Sequence, residues 1–265
     1  MVLLAVMQAN AAVLDLDANL AAVEAAAGKA AAAGAGLLLT PELFLVGYAP
    51  LRIRAELDPA VLPPLRRALA DLVRRHGIGL VYSLPSVTAA GEWQITATLL
   101  DGTGAELLHY AKVHLFGPEE RAAFTAAGAA PGVADFHGLK ASLVICYDVE
   151  FPESVRAAAA QGAALVLVPT ALSEGFEAVP QVLLRARALE NQLTVAYANH
   201  SGTEEGCGFL GGSVVAGPDG SLLAAAGTGE ELLFAQLPGP AADPGSGDVA
   251  YLRDRRPDIY RNWGG

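Results

Sequence analysis

Residues 141–153 read ASLVICYDVEFPE, and the reading of this stretch decides the fold class. Ala141–Ile145 is an apolar run that predicts a buried strand. Cys146 ends the run, and Tyr147–Phe151 forms a short connection. Pro152 suits the first position of a helix, where its missing N–H costs nothing, and predicts a helix over Glu153–Gln161. Strand, short turn and helix in immediate succession is the repeating unit of a layered α/β protein.

The alternation continues on both sides. Downstream, Leu165–Val168 reads as a strand, Val179–Asn191 as a helix and Thr194–Ala198 as a strand. Ser213–Val215 and Leu222–Ala225 read as a hairpin around Pro218-Asp219-Gly220, and Leu232–Leu237 closes the set. Upstream, Val2–Ala9 and Leu37–Leu39 are candidate buried strands, separated by an Ala-rich helix over Asp17–Ala33 that Gly34 stops. Pro64–His76 is a further helix, ended by Gly77. Strands follow at Gly79–Leu84, Gln94–Leu100 and Leu107–Tyr110. The expected architecture is α/β with mixed sheets flanked by helices. One domain is expected over residues 1–265, with a Pro- and Gly-rich linker and a polar tail in 238–265.

Composition narrows the function. Hydrophobic residues make up 53% of the 265 positions and charged residues 17%, which excludes a disordered chain. The net charge of −11 repels phosphate backbones and anionic lipid, so neither nucleic acid nor a membrane surface is an expected partner. No apolar run reaches the ~18 residues of a membrane span. The start, MVLLAVMQANAA, lacks a basic leader and reads as a first strand rather than a signal peptide. With two cysteines the chain has no disulfide framework, and a cytoplasmic location is expected.

Some motifs fail on context. Gly206-Cys207-Gly208-Phe209-Leu210-Gly211 fits G-x-G-x-x-G, but no strand precedes it and no helix follows, so it reads as a glycine-rich loop. His76, His109, His114, His137 and His200 are never spaced as metal ligands, so no metal or other cofactor is expected.

Three segments carry chemistry-bearing residues. Cys146, at the strand end, is either a nucleophile exposed by its turn or a buried structural cysteine. Glu42 stands between Leu37–Leu39 and Leu43–Val46. It is either a carboxylate in a dry place, raised in pKa and suited to general base work, or an ordinary loop glutamate. Lys112, one of only three lysines, lies among apolar neighbours; it is either a cation for an oxyanion or a solvated loop lysine.

Together the three segments, PELFLVGY around Glu42, YAKVHLFGPEE around Lys112 and ICYDVEFPE around Cys146, resemble the nitrilase superfamily of carbon–nitrogen hydrolases. VPTALS, RARALENQ and VAYANHSG look like further landmarks of that family. The resemblance implies an αββα sandwich, pairing across a homodimer into αββααββα, and a Glu42–Lys112–Cys146 triad without a cofactor. It implies a second glutamate, which maps to Glu120, with the adjacent Glu119 as the other possibility. It also implies that the helices over Pro152–Gln161 and Val179–Asn191 lie at the dimer interface, and that the tail reaches a neighbouring subunit.

The implied reaction is hydrolysis of a small primary amide to carboxylate and ammonia through a thioester on Cys146. Lys112 and the Tyr147 backbone N–H would hold the oxyanion, and Lys112 would lower the thiol pKa. Tyr147-Asp148 after the cysteine looks like the amidase and carbamoylase branches. A nitrile or N-carbamoyl hydrolase, or a non-catalytic scaffold, are the competing readings. Tyr48, Phe116, Glu150, Phe151, Thr170 and Ala171 are candidate pocket residues. Glu150 either repels anionic substrates, favouring a neutral or cationic amide, or caps the helix that Pro152 opens.

Overall fold

The structure, a computed structural model, describes residues 2–239 and 249–263. One six-stranded sheet contains β1 (Leu3–Gln8), β2 (Leu37–Leu39), β3 (Gly79–Val87), β4 (Trp93–Leu100), β5 (Glu106–Ala111) and, from the far end of the chain, β14 (Glu231–Gln236). A second contains β6 (Val133–Phe136), β7 (Leu139–Leu143), β8 (Leu165–Pro169), β9 (Thr194–Ala198), β12 (Val214–Ala216) and β13 (Leu222–Ala225). A small hairpin, β10 (Ser201–Glu204) and β11 (Cys207–Leu210), forms a separate two-stranded sheet.

The short apolar strands sit centrally, in parallel. Leu38 of β2 pairs with Ala5 on one side and Leu80 on the other. In the second sheet Leu167 of β8 lies between Leu143 and Ala196. Strands covered on both faces are apolar throughout, as Leu37–Leu39 and Leu165–Val168 are. The outer strands are antiparallel, and β14 pairs with β1 from Leu3↔Gln236 to Gln8↔Glu231.

The two sheets face each other, with β2 and β3 against β8 and β4 against β7. Helices α1 (Leu16–Ala32) and α3 (Leu62–His76) cover the first sheet. Helices α5 (Pro152–Ala160) and α6 (Leu184–Asn191) cover the second. Two short helices, α2 (Pro50–Glu56) and α4 (Gly117–Ala123), pack together beside the sheet edge. This is the expected αββα sandwich, and no helix among the described residues is long and apolar enough to cross a membrane.

Three local expectations change. The G-x-G-x-x-G stretch is not a plain loop: Cys207–Leu210 is strand β11, paired with Ser201–Glu204. Gly211, at φ 67°, does allow close packing, since a Cβ there would meet the Gly227 carbonyl oxygen at 2.8 Å. The strand expected at Ala141–Ile145 begins earlier, at Leu139, because His137-Gly138 turns the chain back and pairs it with Val133–Phe136. In the Val179–Asn191 helix, Leu184 points into the protomer core rather than outward; Val182 and Leu189 are the exposed apolar residues. Of the expected linker, residues 240–248 lie outside the described residues.

Candidate active site

Three turns converge where the sheets meet. Glu42 follows β2 in a tight turn whose next residue, Leu43, is left-handed at φ 54°. The Glu42 N–H donates across the sandwich to the Thr170 carbonyl at 3.2 Å. Lys112 follows β5; its N–H donates to the Ile95 carbonyl, and its own carbonyl accepts from Ala127, both at 2.9 Å. Cys146 opens a 3-10 turn, Cys146–Glu150, and is itself left-handed at φ 46°. A cysteine in that conformation carries local strain, of order 1 kcal/mol or more, which the surrounding structure must hold in place.

Burial forces these side chains onto one another. Glu42 and Lys112 are fully buried, Glu120 is 1% exposed and Cys146 6%. The Lys112 ammonium donates to Oε1 of Glu42 and to Oε1 of Glu120, each at 2.7 Å. Glu120 also accepts from the Tyr48 hydroxyl at 2.6 Å and, through Oε2, from the Phe116 N–H at 2.7 Å. Glu119 is exposed, so the structure places Glu120, not Glu119, against the lysine. Oε2 of Glu42 has no hydrogen-bond partner, and the Cys146 thiol is among the groups close enough to act on that carboxylate.

The electrostatics follow. Desolvation, opposed by Lys112 and assisted by Glu120, pushes the Glu42 carboxyl up to about 7. Burial alone would discharge Lys112, but Glu42, the Cys146 sulfur and Glu120 hold its pKa above the ordinary lysine range. The thiol differs from expectation. Lys112 does pull the Cys146 pKa down, yet burial and the Glu42 charge outweigh it, and the resting thiol lies well above its usual range.

The pocket residues divide. Tyr48, Phe116, Glu119, Glu120, Glu204 and Cys207 line a cavity of about 470 Å³ beside the triad. Phe151 stacks on His114 at 3.9 Å and meets Tyr147 edge-on; Tyr147 in turn meets Phe116, forming one aromatic wall. Thr170 and Ala171 are buried, and the Thr170 hydroxyl donates to Tyr197 at 2.9 Å. The N-cap of α5 is Phe151, and its side chain makes no cap hydrogen bond; Glu150 precedes it. Glu150 is half-buried, and desolvation raises its pKa against the pull of Lys112 and Arg187.

Several supporting residues are absent from the sequence reading. Asp148 is fully buried and accepts from the His114 N–H and ring Nδ1, the Tyr110 hydroxyl and the Ile145 N–H, tying the Cys146 turn to the Lys112 segment. Arg187 of α6 donates to the Val149 and Glu150 carbonyls at 3.1 and 2.7 Å, buttressing the same turn. His200 and Glu204 lie behind Glu42. Their sequence signals were faint: a carboxylate two residues after the cysteine, and a His–Glu pair four residues apart that begins in the VAYANHSG landmark and ends two residues past it.

The geometry can be set beside known proteins. The family model "Carbon-nitrogen hydrolase" matches residues 3–242. The chain belongs to the carbon-nitrogen hydrolase family. Among solved carbon–nitrogen hydrolases, an amidase from Nesterenkonia sp. AN1 superposes with a TM-score of 0.93 at 48% identity, covering 99% of this chain and 100% of that one. A variant of that amidase carries acrylamide added at its active-site cysteine. A hydrolase of Pseudomonas protegens is 38% identical over 93% of this chain and 86% of its own length. An (R)-stereoselective amidase of a Pseudomonas species is 31% identical, over 83% of this chain and 79% of its own. The expectation of an amidase-like carbon–nitrogen hydrolase agrees with both the family and these relatives.

Proposed function

We propose that this carbon–nitrogen hydrolase converts small primary amides to carboxylate and ammonia, with Glu42, Lys112, Cys146 and Glu120 as its catalytic residues. The observation that carries the reading is the buried ammonium of Lys112, shared at 2.7 Å between Glu42 and Glu120, with the buried Cys146 thiol near enough to act on the Glu42 carboxylate. Above pH 7 Glu42 is ionised and Cys146 is a neutral thiol, so the proton moves from Sγ to Glu42 as the sulfur attacks the amide carbon. Lys112 and the Tyr147 N–H hold the oxyanion. Glu42 returns the proton to the departing ammonia, leaving a thioester. Water, deprotonated by Glu42 and placed by Glu120, then releases the acid.

Glu150 supports a preference for neutral or cationic amides, because a carboxylate facing the Lys112 region repels an anionic substrate. The test is ammonia release from a panel of primary amides, nitriles and N-carbamoyl compounds. Turnover is expected on neutral and cationic amides; turnover on nitriles or N-carbamoyl acids alone overturns the assignment.

The Glu42 role sets a pH dependence. A base raised to about 7 is protonated as pH falls, so kcat/KM should decline below pH 7 and level off above it. A profile flat down to pH 5 would count against Glu42 as the base.

The homodimer belongs to the same reading. Val182 and Leu189 leave apolar surface exposed around α6, the helix whose Arg187 holds the Cys146 turn. Light scattering at micromolar concentration should give twice the protomer mass; a protomer mass rules the dimer out.

A further inference from the structure

Behind Glu42 lies a second charged couple that the triad chemistry does not use. His200, between β9 and β10, is fully buried. Its Nδ1 is 2.6 Å from Oε1 of Glu204, and its Nε2 is 2.6 Å from the backbone carbonyl oxygen of Glu42. A carbonyl only accepts, so Nε2 carries a hydrogen. The Glu204 carboxylate already accepts from the Ala11 N–H at 3.0 Å and the Tyr48 N–H at 2.8 Å, as an ionised group does. Burial opposes its ionisation, but His200 and those two N–H groups hold its pKa below the usual range. Nδ1 faces that carboxylate, so the ring is held at both of its nitrogens.

The contacts close a cycle. Glu42 binds Lys112, Lys112 binds Glu120, and Glu120 binds the Tyr48 hydroxyl. The Tyr48 N–H binds Glu204, Glu204 binds His200, and His200 returns to Glu42. A buried ion pair is a poor source of stability, because desolvating two charges cancels most of their attraction. This one holds the peptide of the residue read above as the base. With its N–H on Thr170 and its carbonyl on His200, the Glu42 peptide is fixed from both sides.

We propose that the His200–Glu204 pair is the positioning device of the base: it locks the Glu42 peptide and so holds the Glu42 carboxylate against Lys112. The inference rests on the reading of Glu42 as general base. The titratable groups around Glu42 are Lys112, Glu120, Cys146, Tyr48 and Tyr197, and the one on His200 is Glu204. Lys112 is the cation that favours the ionised form of Glu42, so a Glu42 peptide released by His200 loses part of that pull, and the pH below which the base is protonated rises.

The experiment is the pH profile of kcat/KM for His200→Gln beside wild type, with kcat and KM measured separately. The acid limb is expected to move up by about 0.5 to 1 pH unit, the lower end of what a neighbouring charge does. KM should hold, while kcat falls at least ~10-fold as the base loses its fixed position. Glu204→Gln, which keeps the shape and removes the charge, should shift the limb the same way and serves if His200→Gln does not fold. A limb that stays in place overturns the proposal even if kcat falls, because a purely structural role loses rate without retuning Glu42. A wild type with no limb near pH 7 instead overturns the reading of Glu42 itself, so the two failures are distinguishable.

Discussion

Cys146→Ala should abolish ammonia release, with a fall of at least ~10⁴-fold, the scale seen when a covalent nucleophile is removed. The fold should survive. Sγ is one buried atom, its loss costs on the order of 1 kcal/mol, and alanine at φ 46° is as strained as cysteine. Neither remaining group can take over. Glu42 is the proposed proton acceptor, and Cys207, the other thiol, is raised in pKa by burial and by Glu204, Glu119 and Glu174. Mass spectrometry gives the direct check. An activated ester should leave its acyl group on the peptide containing Cys146 in the wild type and nowhere in the variant. Full activity in Cys146→Ala, or an adduct confined to Cys207, would sink the covalent mechanism.

Lys112 should tolerate no substitution. In Lys112→Arg the charge is kept, but a planar, longer guanidinium cannot stand at 2.7 Å from both Glu42 and Glu120 in a space built for a compact ammonium. Turnover should fall at least ~10²-fold, the cost of losing an oxyanion donor. Lys112→Ala should do more damage, and to stability as well. It leaves two buried carboxylates facing each other without the cation between them, a loss of roughly 3–5 kcal/mol for a broken buried pair. One of them must then stay protonated, which removes the base as well as the cation. Turnover and melting temperature decide together. Near-normal turnover in the arginine variant would take Lys112 out of the oxyanion role.

The cluster of Glu42, Lys112 and Cys146 was legible because each of its residues breaks an apolar run. A charge or thiol at the end of Leu37–Leu39, beside Val113 or after Leu143–Ile145 stands out against its neighbours. The direction of the Glu42 shift was legible for the same reason, since apolar flanks mean desolvation. The Cys146 shift was not. Lys112 suggested a lowered thiol pKa, but the outcome depends on a balance among three groups that only meet in space. The choice between Glu119 and Glu120 was likewise beyond one dimension; it turns on which face of α4 packs inward. Asp148, Arg187, His200 and Glu204 were missed because they act through backbone carbonyls and N–H groups of distant segments. Their partners lie up to 193 positions away, as Ala11 does from Glu204, and no local pattern announces such a contact. The β10–β11 hairpin was lost to its polar and glycine-rich composition, which mimics a loop when strand pairing cannot be seen.

The pairing of β14 with β1 has a consequence for how the enzyme comes into being. The first strand to leave the ribosome waits for one of the last: Leu3 finds its partner only when Gln236 has been made. Glu42 and Lys112 follow strands of that sheet, while Cys146 follows a strand of its neighbour. Until Glu231–Gln236 has been made, one edge of β1 has no strand beside it, and the sheet that positions Glu42 and Lys112 is closed only at the end of synthesis.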